Sequence, residues 1–118
     1  METSLVIPML PPTLNHYWGQ RGNRRFLLPK GLQFREQTKL ASIVQKTPKF
    51  YKSKIEVQIF LYPDSKRSWD IDNRLKALLD ALEHAEIFEN DSQIDRLCVF
   101  RGDMKQHEMT VVFIKELA

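Results

Sequence analysis

One cysteine, Cys98, stands in a chain of 118 residues. A lone thiol excludes an intrachain disulfide and a thiolate-held metal, and it suits a reducing compartment. Cys98 falls inside an apolar run, which predicts a buried small hydrophobe. Only four glycines are present, and none builds a loop with the spacing that cradles phosphates. The histidines His16, His84 and His107 are too scattered for a zinc site. No apolar run approaches the ~20 residues that span a bilayer. Met1-Glu2-Thr3-Ser4-Leu5 lacks the basic start and long apolar core of a secretion signal. These absences predict a soluble protein of the cytoplasm with no membrane partner and no organic cofactor. Repeats, low-complexity tracts and linkers are also lacking, so residues 1–118 are expected to form one domain.

What is present is a mild excess of positive charge, +3, with an uneven distribution. Arg21, Arg24, Arg25, Lys30 and Arg35 form one basic stretch, Lys66 and Arg67 flank a group of acids between residues 70 and 91, and Arg74 is a further cation among them. Taken alone, the basic stretch is more often a solvated surface than a binding site. Next to an acidic site it suits a phosphate-rich ligand held near a metal. At 42% hydrophobic the chain can bury a core, but a chain of this size buries a modest one. Pairing with a second copy is a natural source of extra stability.

Leu5-Val6-Ile7 predicts a strand, closed by Pro8, Pro11 and Pro12. Asn15 to Pro29 predicts a long loop of functional character. Its Tyr17, Trp18 and Phe26 are candidates to stack on bases, although anchoring is the default for each. A helix is expected from about Lys30 to Lys46, with Leu32, Glu36, Leu40, Ile43 and Val44 approximating its stripe and Pro48 ending it. Ile55–Leu61 predicts a strand covered mainly on one face. A second helix is expected to begin near Asp72, its N-cap, and to pack Leu75, Leu78, Leu79 and Leu82 on a sheet. Ile94–Arg101 and Glu108–Lys115 predict two adjacent strands joined by a turn over Gly102–His107. The order β-α-β-α-β-β predicts an α+β domain with a mixed sheet and two main helices.

The chemistry concentrates in Asp70-Ile71-Asp72-Asn73. In an extended segment, residues i and i+2 point to the same side, so Asp70 and Asp72 can converge. Two close carboxylates repel unless a cation lies between them, and hard oxygen ligands suit magnesium, with manganese as a substitute. Capping explains one aspartate before a helix but not the pair. Asp91 is the third candidate ligand, although spacing alone does not return it to the helix start, and a homodimer would alter which acids meet. Lys76 lies one turn beyond Asp72. It is either an ion-pair partner of Asp72 or Asp80, or a cation at a reacting phosphate. Asn73 is a candidate to bind the metal's water or a phosphate, or merely to join the capping network. Asp80 is expected to pair with Lys76 and is kept as a supporting residue behind the metal ligands.

A larger set of residues turns this spacing into a resemblance. Pro11-Pro12-Thr13-Leu14-Asn15, Gly31 with Phe34-Arg35, Asp70-Ile71-Asp72-Asn73 with Lys76, Asp80-Ala81-Leu82 and Asp91-Ser92-Gln93-Ile94 together make the chain similar to the RusA family of Holliday junction resolvases. The resemblance covers nearly the whole length. It implies a small homodimeric endonuclease that binds four-way junction DNA and cuts two opposed strands symmetrically with magnesium, in DNA recombination and repair. By that resemblance Asp70, Asp72 and Asp91 correspond to the catalytic, metal-binding acids and Lys76 to the catalytic lysine. Two positions depart from the pattern. Asn90 stands where many relatives carry a second acid, and Glu86 where a glycine often ends the second helix, which predicts a turn of different shape. The rival readings are a non-catalytic junction-binding module of the same fold and a small-molecule phosphohydrolase.

Overall fold

Alternation along the strands fixes the sheet, because successive side chains point to opposite faces. The computed structural model describes residues 1–118. In β4 (Ile55–Tyr62), Ile55, Val57, Ile59 and Leu61 are all buried. β6 (Met109–Glu116) runs antiparallel to β4 and buries Thr110, Val112 and Ile114 on the same side. β1 (Glu2–Ile7) pairs antiparallel with β6 through Leu5 and Ile7, and β5 (Ile94–Arg101) runs parallel to β4. The order β1-β6-β4-β5 makes a mixed sheet, and the domain is α+β.

Two helices supply the other half of the core. α3 (Leu75–His84) buries Leu78, Ala81 and Leu82 and half-buries Leu75 and Leu79, which matches its leucine periodicity. α2 (Pro29–Val44) starts with proline at its first position, where the missing N–H costs nothing. Its inward face is Gly31, Phe34, Thr38 and Ala41. The expected stripe of Leu32, Leu40, Ile43 and Val44 is exposed. The cause is close packing. A Cβ on Gly31 would lie 2.6 Å from the carbonyl oxygen of Tyr17, in the short helix α1 (Leu14–Tyr17), so small residues mark the contact rather than leucines.

Other expectations are also corrected. The stretch after Asn15 is not a loop: α1 leads into a hairpin of β2 (Trp18–Arg21) and β3 (Arg24–Leu27) around Gly22-Asn23, with Gly22 at φ 60°. β5 and β6 are not neighbours, because β4 lies between them. The 102–107 connection crosses the end of β4, tied by Gly102 N–H to Leu61 O and Lys105 N–H to Pro63 O, both at 2.8 Å. Cys98 is exposed, because it lies level with Gln58 and shares that residue's side of the sheet, away from the helices. That uncovered side also carries Phe60, stacked on Phe100 at 4.8 Å and edge-on to Phe113 at 5.7 Å. Glu86 takes φ 62° and so preserves the left-handed turn that glycine would make. Ile87 N–H reaches Leu82 O and Glu86 N–H reaches Glu83 O, closing α3 in a Schellman motif.

Candidate active site

Helical backbone begins before the second aspartate. Ile71 already has φ −67° and ψ −38°, and Asp72–Arg74 form a 3-10 turn that runs into α3. Two expectations fail for that reason. Asp70 and Asp72 do not flank an extended residue, and Asp72 makes no capping hydrogen bond. Both carboxylates are exposed, and neither takes part in any of the chain's ion pairs. The local fold therefore does not use them. Asn73, half-buried between them and α3, likewise has no capping role.

Asp91 does return to the helix. Its backbone N–H donates to Glu83 Oε1 at 3.1 Å, and its carboxylate lies 3.7 Å from Lys76 Nζ. Lys76 and Glu83 are seven residues apart and share one side of α3, so that side holds the turn in place. Lys76 thus pairs with Asp91 rather than with Asp72 or Asp80. The turn itself is clamped by Gln93, whose Oε1 accepts from Glu89 N–H and Asn90 N–H while its Nε2 donates to Tyr51 O and Ser53 O. All four bonding positions of that amide are filled. Asn90 caps the turn by accepting from Ser92 N–H at 2.8 Å, which gives this departure from the family pattern a structural use. Glu83 was not foreseen. Its seven-residue interval from Lys76 was the available signal.

At the middle of α3, Asp80 is closed off. Tyr17 Oη–H donates to it, and Arg35 donates through Nε at 3.0 Å and Nη2 at 2.7 Å. Burial, and then the bond to Asp80, push the Tyr17 phenol above the ordinary tyrosine range. Burial of the Arg35 guanidinium opposes its charge, but the bonds to Asp80 and Tyr17 outweigh burial and raise its pKa. Arg35 is committed within the fold, and Tyr17 is fully buried and unavailable to a base. Trp18 is half-buried with Arg25 stacked 4.2 Å from its ring, whereas Phe26 is exposed. The remaining predicted cations lie apart from this lock. Arg21, Arg24 and Arg25 project from the hairpin, Lys66 and Arg67 from the loop before Asp70, and Lys30 from the start of α2, all exposed. Arg74 is half-buried, its Nη1 donating to Pro11 O at 2.6 Å.

The donor types suit a hard divalent cation, being accessible carboxylates with no competing protein partner at Asp70 and Asp72. The grouping within one chain is incomplete. No three histidine, cysteine or acidic side chains stand close enough together to hold one metal ion.

Fold and site together make a small α+β domain with unpaired carboxylates and an ammonium at the start of one helix. Residues 8–115 match the family Endodeoxyribonuclease RusA. The chain is also similar to the crossover junction endodeoxyribonuclease rusA of Enterobacteria phage HK97, with 39% identity over 102 residues, 86% of this chain and 83% of that protein. The chain belongs to the RusA family of endodeoxyribonucleases.

Proposed function

We propose that this chain, as one domain over residues 1–118, resolves Holliday junctions by cutting two opposed strands in a magnesium-dependent reaction. The observation that carries the reading is the pair of carboxylates on Asp70 and Asp72, left unpaired just ahead of α3, whose first turn carries Lys76 and its ion pair to Asp91. Asp70, Asp72 and Asp91, which do not group closely enough in the free chain to share one ion, would draw together around magnesium or manganese. The bound ion would polarise a water and offset the phosphate's negative charge. Lys76 supplies a fixed positive charge where negative charge builds up on the reacting phosphate. Its partner at 3.7 Å is a loose, half-exposed one, so the ammonium can turn to a phosphate at little cost. Arg21, Arg24 and Arg25 on the hairpin, with Lys66, bind DNA backbone and make affinity fall steeply with salt. The products are a 5′-phosphate and a 3′-hydroxyl.

A homodimer places two such sites on a junction with two-fold symmetry. The uncovered aromatic side of the sheet, around Phe60, Phe100 and Phe113, is surface that a second copy can bury. No helix is long and apolar enough to cross a membrane. A junction-resolving enzyme would meet its DNA inside the cell.

The test is a synthetic four-way junction incubated with the protein in magnesium and again with chelator, the same sample being sized in solution. Paired symmetric cuts only in magnesium, from a particle of twice the chain mass, support the proposal. Binding without cutting in either condition supports a non-catalytic junction-binding module. Nucleotide turnover with no action on DNA supports a small-molecule phosphohydrolase.

A further inference from the structure

A cavity of about 550 Å³ opens between the Pro8–Pro12 segment, the first turns of α2 and the loop from Pro63 to Trp69. Lys30, Arg67 and Arg74 line it, together with Gln37 and Trp69. None of the three cations belongs to any of the chain's ion pairs. Two acids also border the space. Glu108 spends Oε1 on the N–H of Leu10 at 3.1 Å, and Asp64 is exposed at the rim. Arg74 is the telling residue. Its Nε is shielded from solvent and has no hydrogen-bond partner. A half-buried cation outside any ion pair is costly, and folds normally pair it, as this one pairs Arg35 with Asp80.

We propose that this cavity is a phosphate pocket, in which Arg74, Lys30 and Arg67 seat a backbone phosphate of the DNA next to the one being cut. The proposal rests on the junction-nuclease reading above. A base is the poorer occupant, because the guanidiniums of Arg74 and Arg101 already lie 4.9 and 4.6 Å from the Trp69 ring. The scissile phosphate is also excluded. Where α3 begins, residues two apart differ by roughly 200° in direction, so Arg74 faces away from Lys76, and the 3-10 turn before it sets Asp72 roughly 120° round from Arg74. One helix start thereby serves two phosphates, with the chemistry on one side and a grip on the other.

Binding of a fluorescent four-way junction in chelator, measured over a range of salt, tests this without cleavage. Arg74→Gln is expected to weaken binding about tenfold and to reduce the steepness of the logarithmic salt dependence by about one. Arg74 also holds Pro11, so Lys30→Gln, at an exposed position, serves as the second variant. It should weaken binding in the same sequence-independent way. The double variant should lose less than the sum, because both cations hold one phosphate. Steep salt dependence in the unaltered protein with unchanged slopes in both variants overturns the pocket alone. Failure of the unaltered protein to bind the junction overturns the pocket and the function together.

Discussion

The middle and the start of α3 treat charge in opposite ways. Asp80 is surrounded by donors from two other helices, Tyr17 and Arg35. Asp70, Asp72 and Arg74 carry charge that no ion pair within the chain neutralises. A carboxylate that the fold uses is satisfied by the fold. A carboxylate that the fold does not use stays free for a ligand. The family motif spans both kinds, since Asp72, Lys76 and Asp80 follow one another at four-residue intervals. Only the structure separates them.

The contrast can be broken at the open end first. Lys76→Gln should lower the junction-cleavage rate by about a hundredfold with little change in junction affinity. Single-turnover cleavage against a binding curve measures both, and equal losses in the two would make Lys76 a binding residue only.

The closed end answers to pH. An unfolded tyrosine ionises near pH 10. Tyr17 in the fold keeps its proton above that range, because it is buried and bonded to Asp80. Its contribution to stability is therefore full below the unfolded value and lost as pH rises through the folded one. Tyr17→Phe should cost about 1 kcal/mol at neutral pH through the missing hydroxyl bond. It should also flatten the alkaline fall in stability, as denaturant unfolding at several pH values would show. A parallel alkaline curve in the variant would place the titrating group elsewhere.

The smallest effect belongs to the end of α3. Glu86 holds a left-handed conformation that costs an L-residue roughly 1 kcal/mol, so Glu86→Gly should raise the melting temperature slightly and leave cleavage unchanged. A lower melting temperature would mean that the surface ion pair to Lys49 outweighs the strain.

How much of this was legible in the sequence follows from packing. The leucines of α3 and the alternation of β4 face one large apolar core, so periodicity marked them correctly. α2 misled because its contact face holds one large apolar residue, Phe34, beside Gly31, Thr38 and Ala41, and small residues do not register as a hydrophobic stripe. The hairpin was missed although Gly22-Asn23 is a two-residue turn signal. The central place of β6 was hidden, since order in a sheet depends on partners far away in the chain. Asp70, Asp72 and Lys76 stood out as a local motif. The return of Asp91 did not, because Glu83 and Gln93 set it through bonds to turn backbone.

The most direct measurement compares Asp72→Asn with Asp80→Asn in two readouts, magnesium-dependent cleavage of a four-way junction per folded molecule and thermal stability. Asp72→Asn should bind the junction and melt as the unaltered protein does, while cutting at least about a hundredfold more slowly. Asp80→Asn should lose about 1.5–3 kcal/mol of stability, the worth of a charge-assisted bond, and still cut. Full cleavage by Asp72→Asn, or intact stability with lost cleavage in Asp80→Asn, would contradict the division of α3 into a catalytic start and a structural middle.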